Sequence, residues 1–375
     1  MNLREGRVGN GECVFTLVIS LCMSGLFVFE SIDAYTHGNS TYISLPIACI
    51  LAFSVFAVGI FAMTRSRSSD LCAMCSYALG KTGAAVVCVF IIVIILACIS
   101  TLLNKFLNVM YSYFFQDASY YSLAAFFLAV LVVFSCMGFE TVNRAAKVLG
   151  VVFLATHILL LVNSFSSYET YKIYPIAGDG MKSMLRFAFE SGILFLPGFV
   201  SALITAKGMH GTHNTSRIAV KALIFTVIIC TVTQLLLALS YPYDDIAKLY
   251  MPLYRMSMVT GEENFLVRLD KISAFIWVAA ALLACSYYIY SASLLYCRSF
   301  RQVDIRPASC SLSVIVIMLC LLSHSEKRGA FSWLNFVGDY GTLLLAVPII
   351  AVSVIAIIKS CIQRSSLGEV GHANI

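Results

Sequence analysis

Long apolar segments separated by short polar ones make up nearly the whole chain of 375 residues. Because about 20 apolar residues in a helix cross a bilayer, this pattern predicts about ten transmembrane helices in a single transmembrane domain, residues 1–375. The predicted spans are 12–32, 42–63, 84–113, 120–138, 146–165, 181–206, 217–240, 269–298, 308–323 and 338–359. The third and eighth are long, so we expect them to tilt or to extend beyond the bilayer.

The composition agrees with this pattern. Hydrophobic residues make up 60% of the chain and charged residues only 12%, whereas a soluble domain has about 25% charged residues. The fold class is therefore an all-α integral membrane protein. The first apolar segment follows Arg4 and Arg7 as in a signal peptide, but it has no small-x-small cleavage site before a mature domain. We interpret it as an uncleaved span.

Basic residues collect in alternate loops, such as those at Arg65, Lys207 and Arg298, and most acidic residues lie in the other loops. Short loops rich in Lys and Arg stay on the cytoplasmic side, so we expect both termini on that side. The formal charge of +6 reflects this asymmetry and an attraction to anionic lipids. The pattern indicates the lipid bilayer as a partner and gives no reason to expect nucleic acid.

Ten spans divide into five plus five, which is the count of an inverted-repeat transporter. The first and sixth spans would then correspond. Small residues interrupt both near the middle, Ser24-Gly25 in the first and Ser191-Gly192 in the sixth, with Pro197 after the second. Such paired interruptions predict a binding site at mid-membrane. A simpler interpretation, that Gly and Ser only allow helices to pack closely, stays open.

Glu190 lies beside the second interruption inside an apolar run, and an ionisable group at membrane depth indicates a functional site. Broken helices would present N–H groups to a carboxylate and C=O groups to an ammonium, which suits an amino acid zwitterion. Alternatively, Arg186, four residues earlier, pairs with Glu190 and makes it structural. Further candidate lining residues are the polar ones within other spans: Asn104, Lys105, Asn108, Thr156, His157, Ser286, Tyr287 and Tyr290.

We expect no metal, no cofactor and no enzymatic activity. Most of the 14 cysteines lie singly in apolar runs, where a thiol behaves as a small hydrophobic group. The pair Cys72 and Cys75 has no second pair at metal-site spacing, and His210 and His213 lie in a polar loop. The chain contains no nucleophile elbow and no phosphate-binding glycine loop.

Several motifs follow the pattern of a known family over essentially the whole chain. The most specific is Arg268-Leu269-Asp270, followed by an apolar segment and Trp277. Phe189-Glu190 with Pro197, and Ser24-Gly25-Leu26-Phe27 through Gly38 to Tyr42-Ile43-Ser44, match as well. On these motifs the chain resembles the spore germination permease family, the B subunits of bacterial nutrient germinant receptors. It departs where Glu30 stands near a usual Pro and Leu185-Arg186-Phe187-Ala188 replaces Pro-Phe-Leu-Gly.

The resemblance implies a leucine-transporter-like fold of five plus five spans within the amino acid, polyamine and organocation transporter superfamily. It further implies a germinant sensor in the inner spore membrane, with its termini facing the spore core. A small nutrient, typically an amino acid, would bind at the helix breaks and act on A-type and C-type receptor subunits. Arg268 and Asp270 would form an ion pair or contact a partner subunit. A secondary amino acid transporter coupled to Na⁺ or H⁺, and a purely structural subunit, stay open as alternatives.

Overall fold

The computed structural model describes residues 8–28, 39–176, 178–246, 251–259, 269–325 and 333–372. About 87% of the structure is helical, and the described residues form no strand. The first five α-helices are α1 (Asn10–Met23), α2 (Thr41–Arg65), α3 (Leu71–Tyr113), α4 (Tyr120–Met137) and α5 (Phe139–Asn163). The sixth to tenth are α6 (Met181–Glu190), α7 (Leu196–Ile204), α8 (Thr212–Ser240), α9 (Tyr243–Ile246) and α10 (Pro252–Val259). The last three are α11 (Leu269–Phe300), α12 (Arg306–Ser325) and α13 (Trp333–His372).

Nine helical segments of the described chain are long and apolar enough to cross a membrane. They include Asn10–Phe27 and Met181–Ile204, each of which contains a change of helix type. The ninth predicted span, 308–323, corresponds to a shorter apolar segment, Arg306–Leu322. The predicted class, an all-α membrane protein, is confirmed.

The third helix is longer than the sequence pattern suggested. It begins at Leu71, where the Asp70 carboxylate accepts a hydrogen bond from the Ala73 N–H at 2.9 Å and caps the helix. Gly80 then adopts a φ of 76° and kinks the helix, a conformation that glycine adopts without a steric penalty. Cys72 and Cys75 are buried in the short segment before the kink.

Contacts between helix termini define one end of the bundle. The Arg298 guanidinium, near the end of α11, lies 3.5 Å from the Asp70 carboxylate and donates a 2.7 Å hydrogen bond to the Ile204 carbonyl at the end of α7. Asn214 of α8 bonds Asn10 of α1 at 2.7 Å at the same end. We call it the basic end, because it carries Arg65, Arg67, Lys207, Arg217, Lys221, Arg301 and Arg306.

Lys172 connects several elements at the opposite end. Its ammonium donates to the Ser240 carbonyl at the end of α8 at 3.0 Å and pairs with Glu169 at 2.9 Å. Its own carbonyl accepts a hydrogen bond from Asn39, just before α2, at 2.7 Å. The pKa of the Glu169 carboxyl is lowered because Lys172, and then Tyr171, donate hydrogen bonds to it.

The first and sixth spans lie at the centre of the bundle. Every residue of 16–27 is buried, and so is every residue of 191–206. The outer faces of α4, α5 and α8 instead carry exposed apolar side chains, such as Phe126, Val148 and Ile228. This distribution is expected when the surrounding helices face lipid and the two central spans face protein.

Candidate functional site

Both central spans change helix type along their length. A π-helix, Ser24–Val28, follows α1 directly, and a 3-10 helix, Ser191–Leu194, separates α6 from α7. Both changes alter the register of backbone hydrogen bonding, and π-helical turns are frequently found at functional sites. The changes coincide with the small-residue interruptions in the sequence.

Gly25 and Phe195 bring the two breaks into direct contact. A β-carbon built on Gly25 would lie 2.6 Å from a ring carbon of Phe195 and 3.5 Å from the Cys230 sulfur. Real β-carbons do not approach so closely, so a side chain at position 25 would require the Phe195 ring to move. Gly198 repeats the arrangement nearby, since its β-carbon would lie 2.6 Å from Leu21.

Aromatic rings cover the first-span break. The ring of Phe27 lies 5.1 Å from the ring of Phe106 on α3 and 4.9 Å from that of Trp277 on α11. All three side chains are buried. Trp277 also lies 6.4 Å from the imidazole of His157 on α5. Side chains of α3, α5 and α11 therefore meet at the break.

Two buried polar atoms beside the break have no hydrogen-bond partner among the described residues: Nε1 of Trp277 and Nδ1 of His157. Nε2 of His157 lies 2.8 Å from the Thr233 hydroxyl, which already donates to the Ile229 carbonyl at 2.7 Å. The imidazole must therefore donate from Nε2, which makes Nδ1 an acceptor in the neutral ring. One unused donor and one unused acceptor lie near Phe27. A buried polar group is costly without a partner, so a polar ligand would stabilise this arrangement.

Glu190 ends α6 at the second break. Its carboxylate accepts a hydrogen bond from Nε of Arg186 at 2.8 Å. The Arg186 side chain is 78% exposed and that of Glu190 20% exposed. Its backbone carbonyl accepts a 2.9 Å hydrogen bond from the Thr342 hydroxyl of α13. The structure thus contains the ion pair that the spacing of these two residues suggested as an alternative role.

Four other predicted residues lie at the breaks. Ser24 and Gly25 are the first two residues of the π-helix, and Ser191 and Gly192 are the first two residues of the 3-10 helix. The Ser191 hydroxyl is buried without a partner among the described residues. A β-carbon on Gly192 would lie 3.0 Å from Thr342. At Gly25 and Gly192, neighbouring side chains occupy the space beside the backbone.

Two other predicted lining residues form side-chain hydrogen bonds. The Asn104 side chain accepts hydrogen bonds from Asn108 at 2.7 Å and from Tyr120 of α4 at 3.3 Å. The Tyr287 hydroxyl lies 3.2 Å from that of Thr205, at the C-terminal end of α7. Among the other candidates, Thr156 and Ser286 bond carbonyls of their own helices, Tyr290 stacks on Phe139, and Lys105 is buried.

The residues of the family motifs have separate locations. Pro197 lies in the first turn of α7, where the missing N–H of proline costs no hydrogen bond. Trp277 is buried against Phe27. Arg268 lies outside the described residues, and so does the side chain of Asp270, whose backbone is in the first turn of α11.

Three contributors were missed by sequence reasoning: Phe195, Thr342 and Tyr288. The Tyr288 hydroxyl donates to the Ser20 carbonyl at 3.0 Å, just before the π-helix. In the sequence of an apolar chain, nothing distinguishes an aromatic residue or a threonine that lines a binding site from one that only packs between helices. The described residues contain no group of three or more metal-ligating side chains, and the cysteines are free thiols.

Fold and site together define a class: a multi-pass, permease-like membrane protein with a leucine-transporter-like arrangement of helices. The chain belongs to the spore germination permease family, whose model, described as "Spore germination protein", matches residues 8–328. The resemblance seen in the sequence motifs is confirmed.

A solved transporter shares the fold. The structure of MHP1, a nucleobase-cation-symport-1 family transporter in a closed conformation with bromovinylhydantoin bound, matches with a TM-score of 0.64. The alignment covers 99% of this chain and 96% of that chain at 10% sequence identity, so the likeness is one of fold alone. No curated protein sequence matches the chain significantly.

Proposed function

We propose that the protein is the germinant-sensing membrane subunit of a spore nutrient receptor. A small nutrient, of the amino acid class, binds between Ser24–Val28 and Ser191–Leu194, and its binding triggers germination. The observation that carries this proposal is the contact of the two breaks at Gly25 and Phe195. Proteins of this architecture hold small ligands where paired helix interruptions meet near mid-membrane.

The helix ends around the breaks support a zwitterion as ligand. Both α1 and α6 end there, so their C=O groups and negative dipole ends suit an ammonium. In contrast, α7 begins there and presents N–H groups to a carboxylate. The unused N–H of Trp277 adds a donor and Nδ1 of His157 an acceptor. Glu190 shapes this site through Arg186, and Ser24, Gly25, Ser191 and Gly192 line it.

The Phe195 ring gives the sensor a way to respond. Because it lies directly against Gly25, a ligand between the breaks must displace it. Phe195 immediately precedes α7, and the carbonyl at the far end of that helix accepts a hydrogen bond from Arg298 at the basic end. Displacement of Phe195 would therefore shift a helix that reaches the loops of that end.

Membership of the family supports the receptor context. The whole chain, residues 1–375, forms a single transmembrane domain in the inner spore membrane, with both termini facing the spore core. The concentration of Lys and Arg at the basic end supports this orientation. A-type and C-type receptor subunits assemble with the chain, and Arg268 and Asp270 serve as an ion pair or as a contact for a subunit.

The experiment that tests the site uses spores whose chain carries Trp277→Phe. This change keeps an aromatic ring against Phe27 and removes the N–H together with part of the indole ring. We expect the amino acid concentration for half-maximal germination to rise by roughly tenfold, with an unchanged amount of chain in the membrane. Tyr77→Phe is the control, since it removes a distant hydrogen bond to Gln363 and should leave the response unchanged. An equal germination response of the original chain, Trp277→Phe and Tyr77→Phe would contradict the site assignment.

A secondary amino acid transporter coupled to Na⁺ or H⁺ is the second candidate, favoured by the fold shared with a cation symporter. The purified chain in proteoliposomes, supplied with labelled amino acids and an ion gradient, separates the two functions. A sensor binds without accumulating the label. Gradient-dependent uptake by the lone chain would establish the transporter instead.

A further inference from the structure

A cavity of about 330 Å³ opens between α1, α5 and α8, separate from the helix breaks. Polar and basic side chains line one part of it: Asn10, Asn214, Arg217 and Lys221. Apolar side chains line the other part: Val14, Val18, Leu154 and Phe225. The cavity therefore combines a basic, polar part with an apolar part.

The two parts follow the direction of the helices. Helices α1 and α8 run parallel, because Asn10 bonds Asn214 at their starts and Gly25 lies beside Cys230 further along. The polar part is thus at the basic end, and the apolar part extends toward the middle of the bundle. From Asn10 to Val18 the distance along α1 is about 12 Å.

The polar part carries positive charge without compensation. Arg217 and Lys221 are one helical turn apart on α8, and both are exposed. Among the described residues neither forms an ion pair or a hydrogen bond. Glu12, an acid in the first turn of α1, already accepts a hydrogen bond from the Gly9 N–H at 3.1 Å. The start of α1 adds N–H groups that have no partner within the helix.

We propose that this groove binds an anionic phospholipid of the surrounding membrane. The phosphate lies between Arg217, Lys221 and the first turn of α1, and an acyl chain lies along Val14, Val18 and Phe225. A free anion would use only the polar part, and a neutral lipid only the apolar part. Basic pockets between transmembrane helices on the cytoplasmic side suit anionic lipid headgroups. The lipid would bridge α8 to the helix that ends at the first-span break.

The test uses the purified full chain in detergent, titrated separately with phosphatidylglycerol, phosphatidylcholine and inorganic phosphate. Native mass spectrometry counts retained lipid, and thermal unfolding reports stabilisation. We expect phosphatidylglycerol to be retained and to raise the unfolding temperature. The double variant Arg217→Gln/Lys221→Gln should weaken that binding by roughly tenfold or more. The double variant Lys207→Gln/Arg301→Gln removes the same charge outside the groove and should bind as the original chain does.

A second variant tests the groove without changing charge. Gly11 lines the cavity, and a β-carbon there would meet nothing within 4 Å, so Gly11→Leu should fold and should block the lipid. Equal binding of phosphatidylglycerol to the two double variants would overturn the proposal. So would equal retention of phosphatidylcholine, which would indicate an acyl-chain groove only, or full stabilisation by phosphate alone, which would indicate a free-anion site.

Discussion

The ring of Phe195 in the sixth span lies so close to Gly25 in the first that a β-carbon at position 25 would stand 2.6 Å from it. This contact joins the two helix breaks across the centre of the bundle. It means that a side chain at position 25 would require this ring to move, and it places an aromatic ring where the proposed ligand has to enter.

A Gly25→Ala variant should therefore be less stable, because the new methyl group overlaps the Phe195 ring. Overpacking of this kind costs about 1–3 kcal/mol, which thermal unfolding of the purified protein would detect. Gly11→Ala is the matched control on the same helix, since a β-carbon there meets nothing within 4 Å. The double variant Gly25→Ala/Phe195→Leu should lose less stability than the sum of the losses in the two single variants. Additive losses would mean that ring and glycine do not interact.

Arg298→Met should destabilise the contacts between helix termini at the basic end. The Arg298 guanidinium bonds the Ile204 carbonyl at 2.7 Å and lies 3.5 Å from Asp70, and both charged side chains are largely buried. Removing one partner of a buried pair costs about 3–5 kcal/mol, because the other charge is left uncompensated. Thermal unfolding and protease cleavage of the loop between α2 and α3 measure the effect. Arg301→Met, at an exposed position three residues later, should change little.

Variants of Arg186 and Glu190 distinguish two roles of the carboxylate. If Glu190 acts only through its ion pair, Glu190→Gln and Arg186→Gln should shift the germination dose response equally. If the carboxylate contacts the nutrient, Glu190→Gln should cause the larger shift while the chain still inserts and assembles. A normal response in both variants would remove Glu190 from the site.

Lys172→Met should weaken the opposite end in a pH-dependent way. The pKa of Glu169 is lowered because Lys172 donates to its carboxylate. The pair therefore stabilises the folded state at neutral pH and loses this contribution as the pH falls below about 4. The difference in unfolding temperature between the two proteins should shrink in acid but persist, because Lys172 also bonds the Ser240 carbonyl. In a chain that already carries Glu169→Gln, the change in unfolding temperature caused by Lys172→Met should not vary with pH.

The positions of the breaks could be predicted from the sequence because small residues interrupt long apolar runs. Ser24-Gly25 and Ser191-Gly192 are local signals of this kind, and the structure changes helix type at both. Glu190 could also be singled out from the sequence, since a carboxylate in an apolar run is rare. Its spacing from Arg186 suggested their ion pair. The extension of α3 through Cys72 and Cys75 was missed, because Gly80-Lys81-Thr82-Gly83 separates this short segment from the long apolar run that follows.

The sequence by itself determined the membrane environment, the helical class, the family and the positions of the breaks along the chain, because each depends on local composition or on a contiguous motif. Only the tertiary structure decided which side chains meet. Asn104 bonds Tyr120 and Tyr287 lies beside Thr205, whereas Phe195 and Thr342 contact the breaks and Trp277, with His157 next to it, packs on Phe27. The physical reason is that an apolar helix has no polar face to mark its orientation, so its rotation is set by packing against the other helices.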